Sequence, residues 1–329
     1  MRLIFYPGIR RVLLIGSLFT MCASGLGFAQ YPVKPLRIIM PTVPGTAVSI
    51  LARTVADGLQ TAWGQPMVVE GMPGASGIIA SQALLKSPPD GYTVMVTQAG
   101  LLSYNQALFP KLTYDPIRDF APISLLAAVD IWLVAPGSFP AKSFKEFVGI
   151  VKAQPGKYSF SATGGTSGLP YIAAVLVRER TGMDLTFVPY KATDQATTDL
   201  LAGRIQLFFD AVPSSIQQVR AGRLKALAVL SPGRMSQMPE VPTISEEGVP
   251  DAVGVAWNGM VTRTGTPAEI IGRLNREVVA IMRNPSVGER LQKLSFNVIA
   301  STPEQFAEVI QSDAAKWGKV IRDFKIQVE

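Results

Sequence analysis

The stretch Tyr158-Ser-Phe-Ser-Ala-Thr163-Gly164-Gly165-Thr166-Ser167-Gly168 reads as a short strand feeding a Gly/Thr/Ser loop that opens a helix. A helix start leaves four backbone N–H groups without intrahelical partners and carries a partial positive charge, so an anion can be held there without Lys or Arg. The glycines let the backbone come close, and Thr166 and Ser167 add hydroxyl donors. No Gly-Lys-Ser/Thr follows, so this is not a nucleotide P-loop. A second stretch of the same grammar is the strand 36–40 followed by Pro41-Thr-Val43-Pro-Gly45-Thr46-Ala47-Val-Ser49 and a helix. Most Gly-rich loops are ordinary strand-to-helix connections; the pairing of two is what favours a binding site, with the loops brought face to face.

Other candidates carry weaker signals. Asp210 closes a strand at its C-terminal end, where open α/β sheets place ligands, and can accept from a ligand hydroxyl or amine; capping the helix near Pro213 is an equal alternative. Gln98 faces the cleft if its strand runs parallel to the first, and is otherwise a solvated turn. Tyr190 and Lys191 are either closing contacts or a surface strand end. Trp132 and Trp257 lie in apolar runs and read as core or hinge packing. The expected ligand contacts are therefore Val43, Gly45, Thr46 and Ala47 in the first loop, Thr163, Gly165, Thr166 and Ser167 in the second, and Gln98, Tyr190 and Asp210 beside them.

Composition excludes several chemistries. The 329 residues contain no His, which removes His-based acid/base catalysis and His metal sites, and the single cysteine is Cys22. There is no Gly-x-Ser-x-Gly elbow; a Ser/Lys pairing is left open with nothing to indicate it. No metal or other cofactor is expected. Residues 1–29 carry Arg2, Arg10 and Arg11 without an acid, then an apolar run from Val12 to Leu26, then Gly27-Phe28-Ala29, the pattern of a cleaved secretory signal peptide. Without those arginines the formal charge falls from +7 to +4 with no basic run, so nucleic acid is not an expected partner. The expected product is a secreted, periplasmic monomer with no disulfide, stabilised by a large core.

Short apolar runs alternate with amphipathic stretches, the signature of α/β units around largely parallel sheets. Strands are expected at 36–40, 67–70, 92–97, 158–161, 185–188, 205–209 and 224–230, and helices at 49–63, 78–86, 144–153, 169–181, 195–202 and 214–221. The apolar runs 123–134 and 253–262 are candidate crossings between two domains. Thr266-Pro267 and Thr302-Pro303 each place Thr at a helix N-cap and Pro at the first helical position. The last helix carries Phe306, Ile310, Trp317 and Ile321 at helical spacing, which reads as packing. The expected fold is α/β and two-lobed, each lobe a mixed, mostly parallel sheet flanked by helices: 30–125 with 230–329 as one lobe, and 126–229 as the other.

The chain resembles the Bug-type periplasmic solute receptors of tripartite tricarboxylate transporters over essentially its whole length after residue 29. The resemblance rests on Tyr31-Pro-Val-Lys-Pro-Leu-Arg37, Pro89-Asp-Gly-Tyr92, Asp119-Phe-Ala-Pro-Ile-Ser124, Val188-Pro-Tyr-Lys191, Pro239-Glu-Val-Pro-Thr243 and Gly265-Thr-Pro267, in that order. It implies a hinged receptor of the type II periplasmic-binding-protein kind that closes on a small organic acid and delivers it to membrane permease subunits. A periplasmic sensor of the same fold is the alternative, and a Ser-based hydrolase a remote one; an enzyme is not expected. Where the family has polar residues near the cleft, this chain has Gly71, Met72 and Leu169, which implies a less polar acid with an aliphatic or aromatic body.

Overall fold

In the computed structural model the described residues are 31–190 and 192–328; the expected leader, with Cys22, and Lys191 lie outside them. The chain opens with β1 (Leu36–Met40), α1 (Ala47–Trp63), β2 (Met67–Gly71), α2 (Ile78–Lys86) and β3 (Thr93–Gln98). Val48, Leu51, Val55 and Leu59 recur at helical spacing and are buried, which fixes the face α1 lays on the sheet. Each such fully buried side chain contributes roughly 1.5–3 kcal/mol relative to exposure. A π-helical turn, Gly100–Tyr104, and the short α3 (Asn105–Leu108) follow β3.

The apolar run 123–134 is not one element. It is shared by β4 (Phe120–Val129) and β5 (Ile131–Pro136), which belong to different sheets and are joined through Asp130. The chain then runs α4 (Phe144–Lys152), β6 (Tyr158–Ala162), α5 (Leu169–Thr181), β7 (Leu185–Phe187), α6 (Thr193–Leu201), β8 (Leu207–Ala211), α7 (Val212–Arg220) and β9 (Leu224–Val229). After an irregular stretch it returns as β10 (Ala256–Arg263), followed by α8 (Ala268–Met282), α9 (Pro285–Lys293), β11 (Asn297–Val298) and α10 (Pro303–Asp323).

Two lobes result. The first sheet has the order β11-β4-β10-β3-β1-β2 and the second β7-β6-β8-β5-β9. Between strands, parallel pairing is confined to β2-β1-β3 and β7-β6-β8, and every strand pair made by β4, β5, β9, β10 and β11 is antiparallel. The sheets are thus mixed without parallel pairs predominating, because β5 and β10, the strands that enter each sheet from the other lobe, insert between two neighbours running the opposite way. One large core cluster reaches from Ile39 and Leu84 beneath the first sheet through Trp257 and Trp317 to Phe160 and Leu176 of the second; each lobe also has a core cluster of its own.

The two Thr-Pro helix starts differ. Thr302 makes a full capping box with Gln305, its side chain accepting from the Gln305 amide at 3.2 Å while the Thr302 amide donates to Gln305 Oε1 at 3.1 Å. Thr266 does not cap α8. Pro267 occupies the cap position, and the buried Thr266 hydroxyl donates to the Arg263 carbonyl at 2.8 Å, closing the turn out of β10.

Candidate ligand-binding cleft

A cleft of about 650 Å³ lies between the lobes. From the first lobe it takes the loop between β1 and α1, the end of β3 and the π-helical turn; from the second, the loop between β6 and α5 and the starts of α6 and α7. Val129 and Ile131 form its floor on either side of Asp130. Among the described residues lining it there is no Lys, Arg, Asp or Glu.

At the start of α1, Thr46 is the N-cap, with extended backbone and a side chain that accepts from the Ser49 amide at 3.3 Å. Its hydroxyl also lies 2.9 Å from that of Thr42 and is therefore committed to holding the loop. Gly45, at φ +92°, makes the left-handed turn that brings the backbone round. The amides of Ala47 and Val48 have no protein acceptor among the described residues, and no acid occupies the first turn of α1 to offset its positive end.

The loop before α5 is built differently. Gly164 and Gly165 are both left-handed, at φ +84° and +68°, and turn the chain into a 3₁₀ turn, Gly165–Ser167, with Gly168 after it. The α-helix starts only at Leu169, Gly168 supplies no side-chain cap, and Pro170 removes one amide from the first turn. This start therefore offers fewer donors than its sequence promises.

Gly45, Thr46, Ala47, Gln98, Thr163 and Ser167 line the cleft, and β3 runs parallel to β1 as the position of Gln98 requires. Five expected contacts do not line it. Val43 points to solvent and is 54 % exposed. Gly165 and Thr166 sit between the lining residues Gly164 and Ser167, where the double left-handed turn carries the middle of the loop away. Tyr190 donates to Asp199 Oδ2 at 2.7 Å and packs on the second lobe's own core.

Asp210 is fully buried and meets neither expectation, because its carboxylate is consumed inside the lobe. Oδ1 accepts from the Thr163 hydroxyl at 2.6 Å and Oδ2 from the Ser215 hydroxyl at 2.5 Å. The cap position of α7 is Ala211, without a side-chain bond. Burial pushes the Asp210 carboxyl up to about 6, with the Ser215 and Thr163 hydroxyls, the Ala211 backbone and Ser214 pulling the other way. Of the three positions at which the resemblance implies polar residues, Leu169 borders the cleft, whereas Gly71 and Met72 do not.

Several lining residues lie outside the expected contacts, among them Trp257, which the sequence places in core or hinge packing and which also borders the cleft. Trp257 donates to Asp313 Oδ2 at 2.6 Å and meets Phe306 edge to face at 5.3 Å, so its ring is fixed against the wall. Trp132, in contrast, is pure core, fully buried with its Nε1 donating to Ser215. Tyr104 contributes its ring to the lining while its hydroxyl is buried without a partner. Thr193 and Ser214 bring two further helix starts to the cleft. The start of α7 has a weaker local signal than the other two loops: the strand ending at Ala211 runs directly into a helix with Pro213 in its first turn, without a glycine turn between them.

Two α/β lobes around a cleft rimmed by helix starts define a solute-binding receptor of the periplasmic-binding-protein type. The description "Tripartite tricarboxylate transporter family receptor" matches residues 51–326, and the chain belongs to that family. It is 31% identical to Protein BugT of Bordetella pertussis, over 92% of this chain and 92% of that one. A solved periplasmic transporter is 36% identical with a TM-score of 0.79, covering 91% of this chain and 100% of its own. A R. palustris protein solved with adipate is 29% identical with a TM-score of 0.80, covering 90% of this chain and 99% of its own. Members of this family are binding receptors and not enzymes, and they act in the periplasm.

Proposed function

We propose that this protein binds a small organic acid in the interlobe cleft and hands it to the membrane permease subunits of a tripartite transporter. The observation that carries the reading is the pairing of uncommitted amides at Ala47 and Val48 with a cleft that has no charged side chain among its described lining residues. One carboxylate meets those amides at the positive end of α1, where the effect is worth up to about 2 kcal/mol in partly buried geometry. Val129, Ile131, Leu169 and Trp257 then favour an aliphatic or aromatic body over a tricarboxylate. The relative solved with adipate, an aliphatic chain ending in carboxylates, has the same architecture.

The lobes of this reading are residues 31–129 with 256–328, and 131–229, with Asp130 and the stretch 230–255 as the two connections. Closure on ligand is a hinge motion about them. Calorimetry with mono-, di- and tricarboxylates and neutral amide analogues is the test. Carboxylates with an apolar body should bind and the amides should not. Tight binding of a neutral amide, or of a tricarboxylate alone, refutes the reading, and small-angle scattering with saturating ligand should show contraction.

A further inference from the structure

The network behind the second loop restricts what the far end of the ligand can be. Trp132 Nε1 donates to Ser215 Oγ at 3.0 Å, Ser215 Oγ donates to Asp210 Oδ2, and Thr163 Oγ1 donates to Asp210 Oδ1. Trp132, Ser215 and Asp210 are all fully buried, and of the four only Thr163 borders the cleft. A hydroxyl has one proton to give. Asp210 as a carboxylate only accepts, so it holds the Thr163 proton turned inward, and what Thr163 Oγ1 has left is its lone pairs. The Ser215 proton is spent in the same way, so nothing within the network returns a proton to Thr163.

From this proton count we infer that Asp210, which touches no ligand, acts as a positioning residue that makes Thr163 an obligate acceptor, so that the preferred organic acid carries a hydrogen-bond donor, a hydroxyl or N–H, at the end that meets β6 and β8. The inference rests on the carboxylate reading and deepens it. It also orients the ligand. A carboxylate oxygen placed against Thr163 meets lone pairs, whereas at the α1 start it meets the free amides of Ala47 and Val48, so the acid group lies toward α1 and the donor toward Thr163. The Asp210 carboxyl, raised to about 6, is still ionised at neutral pH, where the count applies.

Calorimetry at neutral pH with hexanoate, its positional hydroxy isomers and the matching methoxy acids reads this directly. At least one hydroxy isomer is expected to bind about tenfold tighter than hexanoate, as one well-made hydrogen bond allows, while the methoxy acid, which accepts but cannot donate, shows no gain. Thr163→Val and Asp210→Asn should both bring the hydroxy-to-hexanoate ratio toward one. Thr163→Val is nearly isosteric, so it keeps the test available if Asp210→Asn does not fold. Hexanoate binding with no gain from any hydroxy isomer, an equal gain from a methoxy acid, or a ratio preserved in Thr163→Val overturns the inference and leaves the carboxylate reading standing. Failure of every acid in the series to bind overturns both.

Discussion

At the start of α1 the cleft meets two free amides, Ala47 and Val48, held in place by the Thr46 cap, whereas at the start of α5 it meets Leu169 and Pro170, the second of which has no amide to offer. The two loops share a strand, a Gly/Thr turn and a helix, yet only the first meets the cleft at an α-helix start held by a side-chain cap, whereas the second meets it through a 3₁₀ turn and an uncapped helix start. The second contributes an apolar wall, Ser167, and the Thr163 hydroxyl, whose proton is taken by a buried acid. Matching composition thus gives two complementary surfaces, and the difference comes from which polar groups the fold has already used.

The largest expected effect lies on the second side. Asp210 has its carboxyl raised from 3.8 to about 6, so the folded state binds its proton more tightly than the unfolded chain does. Its contribution to stability is fully present below about pH 3.8 and is lost as pH rises through about 6. The shift of about 2 units corresponds to about 3 kcal/mol. Denaturant unfolding from pH 4 to 7 should show the wild type losing about that much relative to Asp210→Asn. A constant difference between the two proteins across that range would remove the buried-acid half of the contrast.

Next comes Ala47→Pro. Ala47 is the first residue of α1 and Thr46 before it is extended, a setting that accepts proline while deleting the amide. If a charged oxygen sits there, carboxylate affinity should fall by about 1.5–3 kcal/mol with the fold retained, as calorimetry and circular dichroism would show. Unchanged affinity would move the acid group elsewhere. Thr46→Ala removes the cap itself and should lower stability by about 1 kcal/mol in urea unfolding. The smallest effect belongs to Thr166→Val. Its side chain makes no contact with the cleft, so affinity should stay within about 0.5 kcal/mol, and a larger loss would restore the middle of the second loop to the site.

Much of the architecture is local and so legible in order along the chain. The faces of α1 and α10, the capping box at Thr302 and the glycine turns before α1 and α5 follow from periodicity and backbone preference within a few residues. The absence of His, which sets aside whole classes of chemistry, needs no structure at all. Family membership was readable too, because the motifs that carry it occur in order from Tyr31 to Pro267. What remained hidden depends on partners distant in sequence. The Asp210 carboxylate is engaged by the hydroxyl of Thr163, 47 residues away. Trp257 reaches the cleft wall because Asp313, 56 residues on, holds its indole. The two crossings have candidate runs in the sequence, but the antiparallel pairing of the strands that make them is set only when each inserts between strands distant along the chain. Sequence alone determined which segments could offer donors, since backbone and composition set that locally. Tertiary structure decided which donors were already spent, because hydrogen bonds are assigned only when distant groups meet.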